Sequence, residues 1–217
     1  MTQLQSTSSK GRRQLLRGVS WKTYESLLAD YAGRSNVFLT YYRGTLEIMS
    51  PSYEHDAGSR LLFLIVYELG VGLGIVFRVI GSTTLRRRDL RAGLEPDDAF
   101  YFRNESAIRG KRKIDLKVDP PPDLAIEVEV SRRLGARRNI YADLGVPELW
   151  TWKGDHLSVR LLQSDGTYAP ADRSPTFPQV AFTEIERFVM LGFSMSQNEW
   201  TLKVREWIAT LPPPIKQ

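Results

Sequence analysis

Two periodicities alternate along the chain. Apolar positions three and four apart mark helices, and strict alternation marks strands. Ser20 ahead of Trp21-Lys22-Thr23-Tyr24-Glu25 predicts a short amphipathic helix to about Tyr31, with Ser20 as its cap. Residues 37–42 and 45–49 are β-rich runs joined by Arg43-Gly44, which predicts a hairpin. Ser50-Pro51 reads as the start of a second helix, Ser50 capping and Pro51 in the first turn, running to about Leu69 and ending at Gly70. Strands are expected near 76–80, 83–87 and 96–102. Residues 103–119 are polar and basic and read as a loop. Pro120-Pro121-Pro122 imposes extended backbone ahead of a strand at 123–130. A helix follows over 133–144, stopped by Gly145 and Pro147. Strands over 148–152 and 157–163, a turn at Asp165-Gly166, and helices over 185–189 and 199–209 complete the pattern. This order predicts an α/β domain with a mixed central sheet flanked by helices.

The most informative strand is Asp123-Leu124-Ala125-Ile126-Glu127-Val128-Glu129-Val130. Alternation puts Leu124, Ile126, Val128 and Val130 on one face and Asp123, Ala125, Glu127 and Glu129 on the other. Three carboxylates then share ~20 Å, at ~3.3 Å per residue. Like charges so close disfavour ionisation unless a cation compensates. Arg137 is a candidate cation, because its helix stripe is Leu134, Arg137, Tyr141 and Leu144. Pro96-Asp97-Asp98 puts further carboxylates at the start of the preceding strand. Glu54 shares a stripe with Leu61 and Ile65, which would turn it inward; the alternative is a first-turn acid favoured by the helix dipole. Carboxylates from two strands form a hard oxygen site suited to Mg²⁺ or Mn²⁺.

Composition narrows this picture. A chain of 217 residues suits one domain. The absence of Cys excludes disulfides, Cys-ligated zinc and a thiol nucleophile, and the two histidines, His55 and His156, leave little room for a His-rich metal site. The longest apolar stretches, 61–67 and 71–77, fall far short of the ~20 residues of a bilayer span. No apolar leader core is visible in residues 1–20. The expectation is a cytoplasmic protein with no membrane partner.

The net charge is +5, and residues 1–20 supply four basic groups and no acid, leaving 26 basic against 25 acidic residues in the rest. That pattern reads as a flexible basic arm over 1–20, a domain over 21–192, and a C-terminal helix with a Pro-rich tail over 193–217. Basic runs at Arg86-Arg87-Arg88 with Arg91, at 109–113 and at Arg132-Arg133 flank the acidic segments. Acid at the centre with base around it is what cutting a polyanion such as DNA requires. Trp150 and Trp152 in one strand, and Trp200 and Trp207 seven apart on a terminal helix, read as core or dimer packing.

Several segments together resemble the Uma2-type (DUF820) endonucleases of the PD-(D/E)xK superfamily. They are Glu95-Pro96-Asp97-Asp98-Ala99-Phe100-Tyr101, Pro122-Asp123 through Glu129, Tyr141 through Gly145-Val146-Pro147-Glu148-Leu149-Trp150, and Met49-Ser50-Pro51 followed by Glu54-His55. The resemblance spans about residues 21–189 and implies a restriction-endonuclease-like core. It also implies a Mg²⁺- or Mn²⁺-dependent cut of DNA, with a homodimer by analogy. Carried over, Asp97 is the metal-binding Asp, Glu127 the second ligand with the Val128 carbonyl beside it, and Glu54 the acidic residue of the first core helix. The superfamily Lys is replaced by Glu129, and a relocated Lys position matches Arg137. Arg stays protonated where Lys can assist a water. A catalytically degenerate fold that binds nucleic acid or a protein is therefore the alternative reading. Paired-carboxylate glycoside hydrolysis fits less well, since it leaves the basic runs unexplained.

Overall fold

The computed structural model describes residues 12–33, 37–129 and 137–214. The chain begins with strand β1 (Arg12–Arg17), helix α1 (Trp21–Asp30), strands β2 (Phe38–Tyr42) and β3 (Thr45–Ser50), and the long helix α2 (Tyr53–Gly72). Next come β4 (Arg78–Val79), β5 (Leu85–Arg87), β6 (Ala92–Leu94), β7 (Asp98–Tyr101), the one-turn α3 (Glu105–Ile108) and β8 (Leu124–Val128). The last third holds α4 (Arg137–Leu144), β9 (Glu148–Lys153), β10 (His156–Leu162), β11 (Tyr168–Pro170), α5 (Phe182–Gly192) and α6 (Gln197–Ala209). No helix among the described residues is long and apolar enough to cross a membrane.

The predicted mixed sheet is present, with order β11-β10-β9-β8-β7-β4. Only β8 and β9 run parallel, because α4 makes the crossover between them. A second sheet, antiparallel and not foreseen, has the order β1-β3-β2-β6-β5. Its hairpin turns where expected: Arg43 and Gly44 both take positive φ, 47° and 94°, the two-residue geometry that matches strand twist.

The alternation of β8 holds. Leu124, Ile126 and Val128 join a cluster with Leu62 and Ile65 of α2, Phe188 of α5 and Trp200 of α6. Ala125, on the other side, packs with Ile140, Tyr141 and Leu144 of α4 and with Leu85 and Leu94 of the second sheet. The mixed sheet is thus covered on both faces, and its central strand is buried at all five positions. Helix α6 belongs to that same cluster and is tied to α2 by Arg205, which donates to both oxygens of Glu68 at 2.8 Å.

Three expectations need correction. Residues 12–17 do not form a free arm: they pair with β3 in full register, and Arg13 donates to buried Glu47 at 2.8 Å. The second helix starts later than Ser50, because Ser50 is still in the ladder opposite Arg12. Ser52 is the cap instead, accepting from the His55 amide at 3.4 Å. The polar stretch after β7 is not all loop, since α3 interrupts it. Residues 1–11, Val130, Arg132-Arg133, residues 133–136 of the expected fourth helix and residues 215–217 of the tail lie outside the described residues.

Candidate active site

The end of the β7–β8 pairing fixes Asp97. Its amide donates to the Ile126 carbonyl at 3.2 Å, and its Oδ2 accepts from the Val128 amide at 2.6 Å. The same oxygen lies 3.2 Å from Nε2 of His55, on the first turn of α2. Nδ1 of that ring lies 3.3 Å from Asp56. Asp97 and His55 are 8% and 4% exposed, so both are buried.

Glu127, four residues into β8, is buried beside them. Its Oε1 accepts from Nε of Arg137 at 3.1 Å, and also from Arg137 Nη2 and the Tyr141 hydroxyl. Arg137 further donates to the Thr40 hydroxyl on β2 and, at 2.8 Å, to the Glu95 carbonyl. The guanidinium therefore joins both sheets. Burial alone would lower its pKa, but Glu127, Tyr141 and Asp97 together outweigh that and hold it above the ordinary arginine value. Burial, reinforced by Glu127, pushes the Tyr141 phenol far up, so it remains a donor. The Asp97 charge acts on both Arg137 and Tyr141, which couples the two carboxylates electrostatically.

Two more acids surround this pair. Asp98 is 2% exposed and its Oδ2 has no hydrogen-bond partner; burial pushes its pKa up to about 7 against the pull of Arg60, with Asp97 adding to the rise. Glu95 accepts from the Leu39 amide at 3.1 Å and from the Thr84 hydroxyl at 3.0 Å, and burial raises its pKa too.

A cleft of about 1380 Å³ opens onto the site, with Asp97, His55 and Glu95 among its lining residues. Glu127 and Arg137 are not among the residues that line it. Segments 78–88 and 108–117 contribute most of the basic side chains of the lining. Some arginines of the predicted runs are committed elsewhere. Arg87 binds Asp89 at 2.9 Å, and Arg109 binds Glu105 at 3.0 Å.

The structure brings together Asp97, Glu127 and Arg137 and separates the other expected residues. Glu54 is exposed, and the inward positions of α2 are His55, Ser59, Leu62 and Ile65. Leu61 and Ile65 of the expected stripe are buried, and Glu54 alone of it faces solvent. Glu129 is partly exposed, and its carboxylate lies 3.8 Å from Lys153. Asp123, counted on the acidic face, ties down the next turn: it accepts from the Phe102 and Asn104 amides at 2.8 and 3.0 Å. The Val128 amide meets Asp97. Sequence reasoning missed His55, Thr40 and the Tyr141 hydroxyl as members. The repeat His55, Ser59, Leu62 at spacings of four and three was the available signal for the first.

Among the described residues there is no group of three or more His, Asp or Glu side chains arranged to hold a metal. Two buried carboxylates against one guanidinium still suit a hard divalent cation, because Mg²⁺ commonly takes one or two carboxylates and completes its shell with water and substrate phosphate.

A mixed sheet covered on both faces is consistent with a restriction-endonuclease-like fold. Residues 21–197, more than half of the chain, match the Uma2 family profile, described as "Putative restriction endonuclease". The chain belongs to the Uma2 family. No curated protein matches it. Restriction-endonuclease-like families usually use divalent metals.

Proposed function

We propose that the protein is a Mg²⁺- or Mn²⁺-dependent endonuclease that hydrolyses phosphodiester bonds of DNA. The observation that carries this reading is a buried carboxylate, Asp97, at the base of a cleft lined with basic side chains. Base on the lining neutralises the polyanion and holds it there. Asp97 and Glu127 would hold the metal, which when bound neutralises charge at the phosphate and acidifies a water. His55 and the Val128 amide orient Asp97. Arg137, always charged, holds Glu127 in place, with Tyr141 as second donor. It positions the carboxylate and takes no proton from water.

A plasmid-nicking assay with Mg²⁺ or Mn²⁺ tests this. Wild type should cut, and Asp97→Asn and Glu127→Gln should each lose at least 100-fold in rate while keeping their circular dichroism spectra. Equal cutting by either variant sinks the proposal. One observation favours a second reading, in which the fold binds nucleic acid or a protein without cutting: Oε1 of Glu127 already accepts from Arg137 and Tyr141. Calorimetric titration with Mn²⁺ separates the two. Heat that disappears in both carboxylate variants supports the enzyme, and no heat from wild type supports the degenerate fold.

A further inference from the structure

The lining of the cleft divides by chain segment. Residues 78–88 and 108–117 bring exposed bases, among them Arg78, Arg86, Arg88, Arg112, Lys113 and Lys117. Arg88, Arg112 and Lys113 have no ion-pair partner among the described residues, so their charge is available to a polyanion. Residues 21–33 and 37–39 instead bring mostly apolar and aromatic surface. Phe38 stands out there. It lines the cleft, is partly exposed, and belongs to none of the three packed clusters. Neighbouring Leu39, by contrast, is 1% exposed and in the core.

Duplex and single-stranded nucleic acid would use such a lining differently. A duplex presents phosphates on its outside and keeps its bases paired and stacked. A single strand presents phosphates and unstacked bases together, and proteins that hold one combine a basic groove with aromatic faces. Depth favours the same form. Asp97 and His55 are less than a tenth exposed, at 8% and 4%, so a phosphate must descend to reach them. A flexible single strand can bend into a cleft of about 1380 Å³ at less cost than a stiff duplex can.

We propose that this cleft binds single-stranded nucleic acid, with consecutive phosphates on the basic residues of 78–88 and 108–117 and one unstacked base against Phe38. That a bound phosphodiester is then delivered to Asp97 rests on the nuclease reading; the binding itself does not.

The test is fluorescence anisotropy on the full chain in EDTA, with a labelled 20-nucleotide DNA strand and with its duplex, over a range of salt. The single strand should bind at least about tenfold tighter than the duplex. Phe38→Ala should weaken single-strand binding by about tenfold and leave the duplex unchanged, and Phe38→Tyr should restore it. Arg112→Ala and Lys113→Ala should each lower the salt slope of single-strand binding by about 0.7. Thermal melting of each variant confirms that the fold is intact. Duplex binding as tight as single-strand binding overturns the proposal, as does a folded Phe38→Tyr that binds no better than Phe38→Ala. Cleavage is scored separately. Single-strand binding with no cutting under Mn²⁺ upholds this inference and counts against the nuclease. Cutting of duplex by a protein that ignores single strands does the reverse.

Discussion

Glu127 and Glu148 stand on adjacent parallel strands, and both are almost fully buried, at 4% and 2% exposure. Their company differs. Glu148 is held by neutral donors, the Trp150 indole at 2.6 Å and the Thr176 hydroxyl at 2.8 Å, with Ser174 also bonding to it. Glu127 faces a guanidinium and a phenol, and Asp97 acts on both of those groups. Glu148 sits at the start of β9, opposite Leu124, while Glu127 lies near the carboxyl end of β8. Open α/β sheets place their sites at the carboxyl ends of strands. A buried carboxylate is therefore not by itself a mark of function. The mark is a fixed cation, a second carboxylate and a cleft at the end of the strand.

The largest effect should come from removing that cation. Arg137→Met leaves Glu127 buried with no compensating charge and takes a donor from Thr40 and from the Glu95 carbonyl. Breaking one partner of a buried ion pair costs about 3–5 kcal/mol. Urea unfolding of the variant should show a loss of that size. A loss under about 1 kcal/mol would mean that the pair is solvated and that the contrast with Glu148 is false.

Glu148 should be the milder site. Glu148→Leu orphans the Trp150, Thr176 and Ser174 donors, at roughly 1–3 kcal/mol. Its pH dependence has a definite sign. Burial raises the Glu148 pKa above its ordinary value of 4.5, so the native state binds the proton more tightly than the unfolded chain. The stabilisation is complete below pH 4.5 and is lost as pH rises through the raised value. Gln cannot ionise. The stability of wild type relative to Glu148→Gln should therefore fall as pH climbs from 4.5 toward neutral. A difference that rises instead would show Glu148 to be stabilised as the anion.

How far these features were legible in the sequence varies by element. Strand β8 was readable because one face is uniformly apolar and its neighbours impose the alternation. The Arg137–Glu127 meeting was readable too, since a lone guanidinium on a buried helix stripe needs a nearby anion. Strand β1 was not. Its residues from Gln14 to Arg17 are all exposed, so an edge strand carries no burial pattern and looks like a charged arm. The split into two sheets was hidden because β2 pairs with β6 across some fifty residues of chain. Asp123 was misplaced because alternation tells which way a side chain points and nothing about the turn that fills the space there.

The smallest and most discriminating contrast lies within one helical turn. Glu54 and His55 are adjacent, and 100° of helical rotation separates them. Glu54 is exposed, and a first-turn acid at a helix N-terminus gains only about 0.3–1 kcal/mol from the dipole. His55 is 4% exposed, with Nε2 at 3.2 Å from the Asp97 oxygen that also takes the Val128 amide. Groups that orient a site carboxylate typically contribute 10–100-fold to activity or metal affinity. His55→Ala should thus cut the nicking rate by about 10–100-fold, and His55→Gln, which keeps a donor in reach, should recover part of it. Glu54→Ala should stay within about twofold of wild type. The reverse ranking, with Glu54 essential and His55 dispensable, would hand the functional position on α2 back to Glu54, the residue that the resemblance named.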